Sequence, residues 1–359
     1  MRRAFLALAL CCALPLTGCS ALLDRPYTAV EPYTEQPAVG EGSSTIQAGT
    51  YSELVNAVLF FVSQGTEEGE LQLVDYSGDV EEDLNRACLE VAKDDPLGAY
   101  AVDFIKNEYT RVLTTYEVTI TISYRRTREQ ISSLVNVTGT SAIRDEVGQA
   151  LADYQSELVL RVGYFTADGE AIAALVRQAY YDEPASAMGM PEFSVALYPD
   201  TGSQRIVEIL FTYPEDAAVL RQKRGALQAE MESLLLTLRP QQQSPSARRA
   251  MLFETAGERL RYDPEGGPSA WDALLGEGAD AEGMALAFQL LSEELSVGSS
   301  LVEGTLNGAP HFWNQLAEDG GAHYVDLTRS ADGTTYSAED LTQLGYVWAD
   351  MPSAGENVE

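Results

Sequence analysis

Few residues in this chain can do chemistry. The 359 residues include two histidines, His311 and His323, and four cysteines, Cys11, Cys12, Cys19 and Cys88. No helix-forming stretch sets two ligands at the spacing that a transition metal needs, so no metal site is expected. Cys88 falls on the same helical face as Val80, Leu84, Ala87 and Val91. With no histidine in that half of the chain to activate it, it reads as a small buried hydrophobe. With Cys11 and Cys12 inside an N-terminal apolar run, neither an intramolecular disulfide nor a cysteine zinc site is expected. The formal charge of −32 repels nucleic acid and anionic surfaces, so nucleic-acid binding is excluded as a function class. Weak calcium binding or a salty habitat could explain the acidity; a soluble, self-repelling surface explains it more simply. No cofactor is expected.

The densest chemical pattern is Gly278-Ala279-Asp280-Ala281-Glu282-Gly283-Met284-Ala285-Leu286-Ala287-Phe288, followed by His311-Phe312-Trp313-Asn314 and His323-Tyr324-Val325-Asp326. It resembles the core of the transglutaminase-like family, relatives of papain-like cysteine proteases, where the first stretch reads roughly Gly-x-x-Cys-Glu-Gly-Tyr-Ala-x-Ala-Phe. Arg261-Tyr262-Asp263 and Ser269-Ala270-Trp271-Asp272-Ala273-Leu274 look like the family's lead-in. Gly304 to His311 has its strand–turn–histidine form, and Leu344-Gly345-Tyr346-Val347-Trp348 is similar to its close. The likeness spans about residues 258 to 348.

The resemblance implies a cysteine opening a helix, where unpaired N–H groups and the macrodipole favour the thiolate. It also implies a histidine that completes the ion pair and protonates the leaving amine, and an aspartate that fixes the histidine tautomer. Backbone N–H groups beside the cysteine would help to hold an oxyanion. In this sequence those positions are Ala281, His311 and Asp326. A methyl group is no nucleophile, so the resemblance implies the fold without its acyl-transfer chemistry. Asp280 is expected to cap the helix, and Ser292, about three turns along, cannot reach His311. Met284 stands where the family has tyrosine, Phe312 where alanine is common, and Arg329 where an aromatic follows. His311 and Asp326 read as a structural pair, with a retained ligand-binding role as the alternative. Trp313 and Asn314 are the candidate binding residues, although Trp313 also suits a core. His323 reads as a surface residue.

The elements that must position this site follow from periodicity. Thr50 and Glu53 have capping-box spacing ahead of an apolar helix face. A strand near Leu71 to Val74 and a helix from Val80, stopped by Asp95-Pro96, come next. Tyr116, Val118, Ile120, Ile122 and Tyr124 alternate with polar residues as a strand of a hairpin. The pattern then recurs. Glu70-Leu71 answers to Glu157-Leu158, and Leu84, Cys88 and Asp95-Pro96 answer to Ile172, Val176 and Glu183-Pro184. Phe104 answers to Phe193, and Val118, Ile120, Ile122 and Tyr124 to Val207, Ile209, Phe211 and Tyr213, at offsets of 87 to 89 residues. This predicts an α+β protein with two tandem related modules, residues 49–130 and 131–215. A transglutaminase-like α+β domain over 216–350, entered by a helix to Leu238 and another ending near Leu260, and a tail over 351–359 complete it.

The N-terminus reads as a targeting segment. Arg2-Arg3 precede an apolar run from Ala4 to Leu16, too short to span a bilayer. Leu16-Thr17-Gly18-Cys19 matches the lipobox of bacterial lipoprotein precursors, which implies a signal peptide over 1–18 and a diacylated Cys19. Loss of that segment leaves a formal charge of −34. Residues 19–48, with Pro26, Pro32 and Pro37, read as a lipid anchor and flexible stalk, reaching at most about 100 Å. The expectation is a stalked lipoprotein on the extracytoplasmic face of a cell membrane. Its catalytically inactive domain would bind envelope peptides or proteins, or scaffold them. The alternative is a peptide-amide hydrolase or acyltransferase using an unconventional nucleophile.

Overall fold

The computed structural model describes residue 37 and residues 45–316, 322–330 and 333–349. The signal segment, Cys19, nearly all of the stalk and the tail lie outside the described residues. The described chain is a mixed α+β protein with three four-stranded sheets.

Strand β1 (Ile46–Ala48) leads into helix α1 (Tyr51–Gln64), which opens on the reciprocal capping box of Thr50 and Glu53. The end of the segment expected as a stalk, residues 46–48, is instead a strand. Ile46 and Ala48 alternate inward and pair with β2 (Glu68–Leu73), so residues 46–48 belong to the first sheet. Helix α2 (Val80–Lys93) is capped by Asp79 and buries Leu84, Ala87, Cys88 and Val91. Asp95-Pro96 both stops that helix and starts another. The Asp95 carboxylate accepts from Leu97 N and Gly98 N, and Pro96 takes the first position of α3 (Pro96–Ala101). The hairpin of β3 (Val102–Val112) and β4 (Thr115–Tyr124) completes a sheet of order β1-β2-β4-β3.

The short α4 (Arg128–Ser132) leads to β5 (Val135–Thr138), α5 (Gly139–Ala152), β6 (Glu157–Gly163), α6 (Gly169–Asp182), β7 (Glu192–Tyr198) and β8 (Gln204–Thr212). Their sheet has the order β5-β6-β8-β7, with the same sequence of parallel and antiparallel pairings as the first. Ile46 pairs with Leu71 and Leu71 with Val118; in the second sheet Val135 pairs with Leu160 and Leu160 with Val207. Each position recurs 89 residues later, so the counterpart of Leu71 in the second sheet is Leu160 rather than Leu158.

Helices α7 (Ala217–Leu238) and α8 (Pro245–Arg259) follow, then β9 (Tyr262–Gly267), α9 (Ala270–Leu274) and α10 (Ala281–Glu294). The third sheet is built from β10 (Ser299–Leu306), β11 (Ala309–Leu316), β12 (His323–Val325) and, beyond α11 (Ala338–Gln343), β13 (Tyr346–Val347). Its order is β12-β11-β10-β13. The boundary expected at 215/216 is not a break in packing. One apolar core runs from Ile143, Leu160 and Val176 through Leu220, Leu227 and Leu252 to Phe288 and Leu291. A separate core under the first sheet takes in Val159 and Ile206 from the second. A small third cluster holds Trp313, Tyr324, Leu341 and Tyr346.

Candidate functional site

Two local devices position the site. Asp280 caps α10 as expected, its Oδ1 accepting from Gly283 N at 3.0 Å, so Ala281 is the first helical residue. At Gly283 an added Cβ would lie 2.7 Å from Gly267 O and 2.9 Å from Ser269 N. Glycine there lets the first turn of α10 press against the end of β9. The second device is the turn Asn307-Gly308, with φ of 53° and 83°. Two successive left-handed residues suit the tight hairpin between β10 and β11, which sets His311 opposite Gly304.

The pair expected from the sequence forms. His311 Nε2 lies 2.8 Å from Asp326 Oδ2, and both residues are buried. Asp326 is held further by Thr328, whose N and Oγ1 donate to Oδ1 at 2.9 and 2.7 Å, and by the Tyr346 hydroxyl, which donates to Oδ2. Burial alone would raise the Asp326 carboxyl, but the hydrogen bonds from His311, Tyr346 and Thr328 outweigh it and hold the carboxyl below its usual range. Tyr346 in turn is pushed up, by burial first and then by its bond to the carboxylate. Asp326 is thus an anion locked in place, with His311 Nε2 bonded to it.

The His311 ring stacks on Trp313 at 6.2 Å and meets the edge of Tyr346 at 5.8 Å. Gly304 makes room, since a Cβ there would be 2.6 Å from the Trp313 ring. Trp313 and Asn314, the candidate binding residues, are each only 1% exposed and present no surface to a ligand. Trp313 packs against Tyr346 and Trp348, and Asn314 Nδ2 donates to Ala285 O at 2.9 Å. Both act as structure: one fills the small cluster, the other ties β11 to α10.

That tie orients the helix. Residues alternate along β11, so His311 and Trp313 face the small cluster, while Phe312 and Asn314 face α10. Ser292 Oγ donates to Ser299 Oγ, which stands opposite Leu316 at the end of the ladder remote from His311, so the N-terminus of α10 lies toward the His311 end. There the Phe312 ring lies 5.9 Å from that of Tyr181, whose hydroxyl donates to Glu282 Oε1 at 3.4 Å. Burial, with the charges of Asp280 and Glu303, pushes the Glu282 carboxyl up to about 7. The remaining candidates fall elsewhere. Ser292 is buried and bonded to Ser299 and Gln289 O. His323 is half-buried on β12. The Cys88 thiol is pushed up to about 11 by burial, the state of an inert core cysteine.

Thr328 and Tyr346 are the site residues that sequence reasoning did not assign. Thr328 follows Asp326 by two residues, a spacing that suits a local side-chain bond to the backbone. Tyr346 comes from a strand at the far edge of the sheet and carries no local signal. Among the described residues no group of three His, Cys, Asp or Glu side chains could hold a metal ion. No protein-family model matches this sequence, and no curated protein matches it.

Proposed function

We propose that this chain is a lipid-anchored, extracytoplasmic binding or scaffolding protein, with two modules related by internal duplication followed by a degenerate transglutaminase-like unit. The single observation that carries the reading is the His311–Asp326 pair, held by three hydrogen bonds from Thr328 and Tyr346, on the sheet whose other face packs against α10, the helix that opens with alanine. A histidine–carboxylate pair and a helix N-terminus are both present, on opposite faces of the third sheet; the atom that would attack an acyl group is not. Acyl transfer is therefore absent, and the surfaces around that end bind envelope peptides or proteins. The lipobox at Cys19 and the proline-bearing segment after it support anchoring.

The test is alkylation of Ala281→Cys against pH, in protein starting after Cys19 and carrying Cys88→Ser. The reading expects a thiol pKa well below the ordinary value of about 8.5, rising back toward it when His311→Ala is added. An ordinary thiol that is indifferent to His311 removes the site from the account.

A second reading, a peptide-amide hydrolase or acyltransferase, is favoured by one observation only. Glu282, next to Ala281 and pushed up to about 7, could carry a proton at neutral pH. It requires turnover by the unaltered protein that Glu282→Gln abolishes.

A further inference from the structure

The two related sheets end on different edges. In the second, β7 is 7 residues long and α3 packs against it. In the first, β3 runs for 11 residues, and from Lys106 to Val112 all but the half-buried Asn107 are exposed. Among the described residues the outer side of β3 pairs with no strand. Its pairing with β4 is free of register shifts from Phe104 to Val112. The ladder also shows which residues offer the outer side. Ile122 N donates to Glu67 O, so the backbone groups of Ile122 turn toward β2 and away from its hairpin partner Ile105. Direction alternates along an antiparallel strand, so the N–H and C=O groups of Ile105, Asn107, Tyr109 and Arg111 point outward. A long open edge of this kind invites another strand.

The charges on the strand select which one. Read outward from Asn107, the sequence sets Lys106 against Glu108 and Asp103 against Arg111. A second β3 laid antiparallel about Asn107 therefore places each Lys106 opposite the partner's Glu108 and brings Asp103 near the partner's Arg111. Asn107 then meets its own copy and Ile105 meets the partner's Tyr109, each pair exchanging both outward backbone hydrogen bonds. Moving the centre one residue either way keeps the outward groups in register but sets Lys106 on Lys106 or Glu108 on Glu108, which opposes like charges. Beside the axis, Asn107 Nδ2 donates to Asn85 Oδ1 of α2 at 3.1 Å. One turn along the same side of that helix, Leu89 is 55% exposed and supplies an apolar contact.

We infer that β3 is a self-recognition edge: two copies of this chain join about a two-fold axis at Asn107, and their first sheets become one continuous sheet. Chains of net charge −32 repel one another at long range, so the contact depends on these local opposite charges. A single strand pair is a small interface, and the dimer should dissociate on the order of 10 µM.

The test is sedimentation equilibrium of the full chain at about 0.15 M salt, where long-range repulsion is screened. A reversible monomer–dimer equilibrium is expected. Lys106→Glu should weaken it about tenfold, because the two-fold axis creates the like-charge contact twice. Glu108→Lys should weaken it as much, although it makes the chain less acidic overall. The two changes together should restore the dimer, since the opposite charges then face each other again. Both side chains are exposed, so the urea midpoint of every variant should match that of the unaltered chain. A chain that stays monomeric at about 100 µM, a dimer indifferent to either single change, or one that the double exchange fails to restore overturns the inference.

Discussion

The first and second sheets share strand order and pairing, yet their backs differ. In the first sheet the face turned away from α1 and α2 carries Glu70, Gln72, Glu117 and Thr119 and is largely open. In the second, the positions 89 residues on are Val159, Arg161, Ile206 and Glu208, and α3 of the first unit lies over them. Ile206 is fully buried and Glu208 is 4% exposed. Glu208 survives there because Arg126 reaches it at 2.6 Å and the Tyr198 hydroxyl donates to it at 2.9 Å. The same pleat can face water or protein. The identity of a few outward residues sets which.

That contrast can be broken most severely with Ile206→Glu, which gives the second back the residue type of Glu117. An unpartnered carboxylate placed among Val159 and the first unit's core should cost about 4 kcal/mol or more, read as a large fall in the urea midpoint. An unchanged midpoint would mean that the back is not covered in solution.

Glu208→Ala comes next. It leaves Arg126 half-sheltered without its partner, and a loss of about 3 kcal/mol is expected. The double change Arg126→Met with Glu208→Leu should recover most of it in a double-mutant cycle, because a buried ion pair itself adds little.

Crowded carboxylates at the third sheet extend the comparison to pH. The Glu282 carboxyl is raised in the folded state to about 7, against an unfolded value of about 4.3. The folded state thus binds that proton more tightly. The stabilisation is complete below about pH 4.3 and is lost as pH rises through about 7. Glu282→Gln should flatten the urea midpoint across this window, by about 2 kcal/mol after allowance for partial exposure. Asp326 has the opposite sign: its carboxyl is lowered, so its contribution is present above the unfolded value of about 3.9 and fades as pH falls through the folded one.

The smallest effect is expected from Glu117→Ile, which puts the second sheet's residue on the open back of the first. Stability should move by less than about 0.5 kcal/mol. Light scattering should instead report more self-association, since the change enlarges an exposed apolar patch.

Much of this architecture was legible locally. The caps at Thr50 and Asp280 stand where their side chains predict, because a cap needs only a side-chain oxygen two or three residues from an unpaired N–H. Alternation through Val118, Ile120 and Ile122 revealed a strand, and the pairing of His311 with Asp326 was what the resemblance to the transglutaminase-like family implied.

What the sequence determined by itself is whatever depends on neighbours within a helical turn or a hairpin: element type, inward face, and the absence of sulfur at position 281. Tertiary structure alone decided what long-range contact decides. It brought Tyr346 onto Asp326 from twenty residues away and buried Trp313 and Asn314. It also fused the second unit's core with that around α10 and covered one of two sheets built to the same order. Hydrophobic burial is non-directional, so periodicity says which side of a strand is apolar but not which distant surface will meet it.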